Sequence, residues 1–150
     1  FTKKNLDIFI YCNNIAMFSN EKVAKSSNQL FFCESCDYTT CKKFNYDKII
    51  ESLKSYKYYC DSLGIVFVFL PCPDKESVYF EFVPFSKQSS TLLTLDSILC
   101  ENNINTINSL AIFNKNKKKS LLYNYDDTHW SAAGVSLIAP EILKKYFAYQ

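Results

Sequence analysis

Apolar positions recur at three- and four-residue steps after Asn45: Tyr46, Ile49, Ile50, Leu53, Tyr56, Cys60 and Leu63. That period predicts an amphipathic helix, and Gly64 stands where a helix-ending glycine belongs. The pattern then changes. Ile65-Val66-Phe67-Val68-Phe69-Leu70 is an apolar run without alternation, as in a strand buried on both faces of a parallel sheet, and Pro71-Cys72-Pro73 stops it. A second cycle follows, in which Ser89 or Ser90 caps a helix bearing Leu92, Leu95, Ile98 and Leu99. Ile104-Asn105-Thr106-Ile107 then reads as a short strand. A third cycle places a helix around Leu110 to Phe113, a loop with Lys115, Lys117, Lys118 and Lys119, and an extended segment or strand over Leu121 to Tyr125. Ser131 caps a last helix carrying Val135, Ile138, Ile142, Leu143 and Phe147, with a kink expected at Pro140. Helices alternating with buried strands predict an α/β fold.

Ahead of these cycles the pattern is less regular. Leu6, Phe9, Ile10, Ile15 and Phe18 suit an irregular amphipathic helix. Lys22 to Lys25 and Gln29 to Phe32 flank the polar Ser26-Ser27-Asn28, which predicts a small β-hairpin. Neither a repeat nor a linker interrupts the chain, so residues 1–150 read as one domain. The longest apolar run, Ile65 to Leu70, is far short of the roughly 20 residues of a membrane span.

Composition narrows the chemistry. The 17 basic residues are all lysine, and there are two glycines and one histidine among 150 residues. Two glycines cannot build a phosphate-cradling loop, and one histidine excludes multi-histidine metal sites. Without arginine there is no bidentate guanidinium clamp for phosphate or carboxylate. A net charge of +2 makes no electrostatic case for nucleic acid, and the four-lysine loop reads as a solvated turn. Seven cysteines leave at least one thiol unpaired. Cys33-x-x-Cys36 with Cys41 is their one cluster; it reads as a local disulfide loop or as reduced thiols, with a zinc knuckle as the sharper alternative.

One constellation carries chemistry. Asp126-Asp127-Thr128-His129-Trp130-Ser131 lies between an extended segment and a helix start, where ligands meet α/β proteins. A carboxylate two residues before a histidine can accept its Nδ1 proton, fixing the tautomer that leaves Nε2 as a general base. The bland alternatives are a structural loop histidine and a core tryptophan. Cys72 in its Pro-x-Pro turn is a candidate thiol nucleophile for a Cys-His-Asp set, set against an incidental cysteine. Asp74 and Lys75 read as helix-cap and turn residues.

Three blocks resemble the SGNH-hydrolase-like domain of the alginate O-acetylation family. Lys22 to Phe32 is similar to its N-terminal block, although that block's glycines and tryptophan are missing here. Gly64 to Lys75 resembles its block of Gly-Ile, apolar strand and Pro-x-Pro-x-Lys, with Tyr79 and Pro84 following. Asp127-Thr128-His129-Trp130-Ser131-Ala132-Ala133-Gly134 resembles its Asp-Thr-His-Trp block. The resemblance implies a three-layer, flavodoxin-like fold with a mostly parallel sheet, incomplete in this chain, plus the small N-terminal hairpin. It implies acetyl transfer to polysaccharide hydroxyls in the periplasm or at the cell surface, with Asp127 orienting and His129 as base. No metal or cofactor is implied. The partners would be a polysaccharide acceptor and an acetyl donor such as a membrane acyltransferase, with no nucleic acid and no membrane span in this chain. The family's serine lies in a Gly-Asp-Ser block after the histidine, and no such block occurs in these 150 residues. The chain therefore reads as the front portion of a larger catalytic domain. The competing reading, from a different class, is a non-catalytic glycan-binding or assembly module.

Overall fold

A computed structural model describes residues 8–11, 14–18, 30–33, 45–82 and 90–147. Among the described residues the expected three-layer parallel sheet is not formed. From Asn45 to Phe147 the chain makes five α-helices, and its only β pairing among the described residues is two isolated bridges, Phe69–Thr106 parallel and Tyr123–Trp130 antiparallel. The one described sheet is an antiparallel meander of β1 (Ile8–Tyr11), β2 (Asn14–Phe18) and β3 (Leu30–Cys33). Tyr11 pairs with Asn14, and Ile15 with both Ile10 and Cys33.

This overturns the helix expected over Leu6 to Phe18. Ile-Phe-Ile-Tyr is β-branched and aromatic, and pairing across the intervening Cys12-Asn13 step prevails over loose helical spacing. Of the predicted hairpin, the second arm overlaps β3, which pairs with β2, and the first arm, Lys22 to Lys25, lies outside the described residues.

The helices begin where short polar side chains cap them. In α1 (Tyr46–Ser62), Asn45 Oδ1 accepts the Lys48 N–H at 3.0 Å, and Gly64 at φ +69° turns the chain beyond the last turn. Asp74 caps the short α2 (Lys75–Val78) by accepting the Ser77 N–H at 2.6 Å. A 3-10 turn over Phe80–Phe82 follows it. Ser90 precedes α3 (Thr91–Glu101), and Asn108 Oδ1 accepts from Ala111 N–H to open α4 (Ser109–Asn116). Ser131 opens α5 (Ala132–Tyr146), which continues through Pro140.

The apolar run after α1 is extended, exposed at Ile65 and Val66 and half-buried from Phe67 to Leu70. Ile65 is 54% exposed and Val66 39%, because the segment is tied to its neighbour only near Phe69. There Phe69 N–H donates to Asn105 O at 2.8 Å, and Asn105 Nδ2 donates to Phe67 O at 3.0 Å. Strands expected over 104–107 and 121–125 are likewise reduced to single bridged residues.

Two apolar clusters result. Ile50 and Leu53 of α1 meet Leu95 and Leu99 of α3, together with Ile104. The second joins Val78 and Tyr79 to Leu110 and Phe113 of α4, Leu122, Tyr123 and Ile138 of α5. Its aromatic rings meet edge to face: Tyr79 and Phe113 each lie 5.7 Å from Tyr123, centroid to centroid. Tyr79 is wholly buried and its hydroxyl accepts the Leu122 N–H at 3.1 Å. Tyr79→Phe keeps the ring and strands that N–H in the core, so urea unfolding should show a loss of about 1–3 kcal/mol.

Lys117 corrects the solvated-turn reading of the lysine run. It is 8% exposed, donates to Val78 O at 2.7 Å, and pairs with the Glu81 carboxylate at 2.8 Å. Lys115, Lys118 and Lys119 do face solvent.

Candidate functional site

The second cluster supports a hairpin-like loop that carries the Asp127–His129 pair. Leu122 and Tyr123 are apolar and buried on the inward side, while Asn124, Tyr125, Asp126 and Thr128 face solvent. Around the Tyr123–Trp130 bridge, Asn124 N–H donates to His129 O at 3.0 Å and Ser131 N–H to Leu122 O at 2.9 Å. Ser131 closes the base of the loop: its hydroxyl donates to Leu121 O at 2.6 Å and accepts from Gly134 N–H at 3.3 Å. That hydroxyl is a helix cap, not a nucleophile.

The Pro71-Cys72-Pro73-Asp74-Lys75 stretch forms the floor. A proline has no N–H to offer, yet its carbonyl remains an acceptor. Pro71 O takes the Ser109 hydroxyl. Pro73 O takes the Tyr123 hydroxyl at 2.7 Å and the Trp130 indole N–H at 3.4 Å. Burial pushes the Tyr123 phenol up, so it stays a protonated donor. Trp130 packs on Phe113 with ring centroids 4.7 Å apart, in keeping with its core role. The two blocks, 71–75 and 127–134, thus meet in space although among the described residues no sheet joins them.

At the tip, Asp127 Oδ1 accepts the backbone N–H of His129 at 2.7 Å, and Asp127 Oδ2 lies 3.5 Å from His129 Nδ1. Asn124 Nδ2 approaches the same oxygen at 3.4 Å. The His129 N–H, above all, holds the Asp127 carboxyl below the usual carboxylate range. With Nδ1 turned toward Asp127, Nε2 occupies the outer edge of a ring whose side chain is 83% exposed. The arrangement can hold the Nδ1–H tautomer and present Nε2 to a proton donor.

Lys75 was not singled out for chemistry by the sequence, and it lies beneath this tip. Its exposure is 0%, and Nζ donates to three carbonyls, Asn124 O at 2.7 Å, Tyr125 O at 3.0 Å and Asp127 O at 3.2 Å. Burial pushes its ammonium down to about 8, opposed by the charges of Glu76, Asp127 and Asp126. A signal was present: Lys75 shares the i, i+3, i+4 face of α2 with the buried Val78 and Tyr79.

Cys72 is exposed, its thiol makes only a 3.6 Å contact with Leu70 O, and partial burial pushes its pKa up, the wrong direction for a thiolate nucleophile. Cys36 and Cys41 lie outside the described residues, as does the side chain of Cys33. Among the described residues no helix is long and apolar enough to cross a membrane. Comparison with protein-family models, curated proteins and solved structures finds no match to this chain.

Proposed function

We propose that the chain supplies an Asp127–His129 general-base pair for acyl transfer at a hydroxyl, the nucleophilic serine coming from outside these 150 residues. The observation that carries this reading is the Asp127 Oδ2 to His129 Nδ1 approach at 3.5 Å on an exposed loop tip. His129, deprotonated at Nε2, would take the serine proton and return it to the departing alcohol, and Asp127 would stabilise the imidazolium between those steps. The acceptor class, polysaccharide hydroxyls that receive an acetyl group, and the periplasmic or surface location come from the resemblance of the 64–75 and 127–134 blocks. A ring this open to water needs a covering wall before its charge interactions gain strength, and a segment bearing the serine would provide one.

The test is made on the protein that carries these residues together with whatever sequence follows them. Hydrolysis of 4-nitrophenyl acetate, and labelling of a serine by a fluorophosphonate in a Gly-Asp-Ser block, are the expected results. No serine labelling and no turnover would overturn the reading. The non-catalytic alternative has one observation of its own: Tyr56, Tyr58 and Tyr59 on α1 are 63%, 79% and 65% exposed. Sugar rings stack on such faces, and quenching of tyrosine fluorescence by acetylated oligosaccharide, without turnover, would support it.

A further inference from the structure

We infer that Lys75 is a positioning residue for the Asp127–His129 pair, acting through the three carbonyls of the loop tip. An ammonium has three N–H donors, and here all three find acceptors within one four-residue stretch, Asn124 to Asp127. One acceptor is the carbonyl of Asp127 itself. Lys75 therefore holds the backbone of the residue whose carboxylate takes both the His129 N–H and the approach of Nδ1.

A lysine serving only the core would bond wherever a buried carbonyl needed a partner. This one donates across 49 to 52 residues to three carbonyls of the tip, past the floor carbonyl of Pro73 that Tyr123 and Trp130 occupy. Across the same tip Asn124 N–H donates to His129 O at 3.0 Å and Asp127 Oδ1 accepts the His129 N–H at 2.7 Å, so the Lys75 bonds act on the backbone of the turn that carries the pair.

Among the described residues, the charged groups that act on Nζ include Glu76 on its own helix and Asp126 and Asp127 on the loop. Asp74 is engaged with Ser77 N–H, and the Tyr123 hydroxyl points to Pro73 and Asp74. The lowered lysine value means that Lys75 keeps three donors below about pH 8 and has two donors for three carbonyls above it. The functional weight of this inference rests on reading His129 as a base; the geometry of the tether does not.

A single histidine makes the test clean, because imidazole ¹⁵N signals report His129 alone. In the wild-type protein the neutral ring should favour the Nδ1–H tautomer at pH 7.5. Its ratio to the Nε2–H form should fall at least threefold by pH 10, in step with deprotonation of Lys75 followed at its ¹³Cε. In Lys75→Met the ratio should be low and flat over the same range while far-ultraviolet circular dichroism is retained. A free-imidazole ratio in the wild type at pH 7.5 overturns the inference. So does a ratio that ignores the Lys75 titration, and this measurement decides the matter even if Lys75→Met does not fold. An unchanged tautomer in folded Lys75→Met overturns it too. None of these readouts uses esterase activity. A protein that lacks turnover but shows the Lys75-dependent tautomer defeats the proposed function alone, and the reverse result defeats this inference alone.

Discussion

Gly134→Val should lower the unfolding free energy by about 3 kcal/mol, the consequence of forcing a side chain into an occupied site. A Cβ at Gly134 would sit 2.5 Å from the carbonyl oxygen of Leu122 and 3.3 Å from Phe113 Cζ. The first neighbour is backbone and cannot rotate away. That carbonyl also receives the Ser131 N–H, so relief of the clash spreads into the loop base rather than into solvent. Phe113 has no better escape, being fully buried between Tyr123 and Trp130. Alanine at this position gains back part of the roughly 1 kcal/mol by which glycine weakens a helix, which makes it the milder variant. For a chain of this size the valine variant should melt roughly 10 °C lower, measured by differential scanning calorimetry. Ala132→Val, at an exposed position two residues earlier in the same helix, should change little. Equal losses at both positions would show that helix propensity, and not the close approach of α5 to Leu122, governs the site.

The role of Gly134 separates what the sequence discloses from what it conceals. Its place after Ser131 was legible, and so were α1 with its Asn45 cap, the Asp74 cap and the start of α5. Each of these depends on bonds between residues three or four apart. The Asp127–His129 contact was legible for the same reason, since two residues on one turn cannot lie far apart. The close approach to Leu122 was not, because nothing in the helix announces its partner.

Ile65 to Leu70 shows the limit most clearly. An unbroken apolar run reports that burial would be favourable, but it does not name the neighbours that would provide it. The segment finds one β partner, at Thr106, packs Phe67 and Phe69 against the α1–α3 cluster and Leu70 against the other, and leaves Ile65 54% exposed. Leu6 to Phe18 fits two periods about equally well, and the choice between them rests on non-local pairing with β3. Lys75 was read as a turn residue and Lys117 as part of a solvated turn, because lysine is rarely interior. Their carbonyl partners lie 39 to 52 residues away in sequence.

In the acyl-transfer reading, His129→Ala should reduce kcat/KM for acetyl ester hydrolysis by between about 10² and 10⁴. The more informative variant is Asp127→Asn. Asparagine keeps an oxygen where Asp127 Oδ1 now accepts the His129 N–H at 2.7 Å, so the turn at the tip survives. At the other oxygen it offers an N–H to His129 Nδ1, which then has to act as the acceptor. The ring proton moves to Nε2, and the atom meant to take a proton already carries one. Turnover should therefore fall by about as much as in His129→Ala, with the melting temperature unchanged. Asp127→Ala removes both contacts and should lose activity and some thermal stability together. The exposed imidazole makes this separation possible: its removal leaves no cavity, so lost turnover cannot be traced to a collapsed core. If Asp127→Asn retained wild-type turnover, the carboxylate would have no part in orienting the base. The loop would then be a turn that happens to display a histidine.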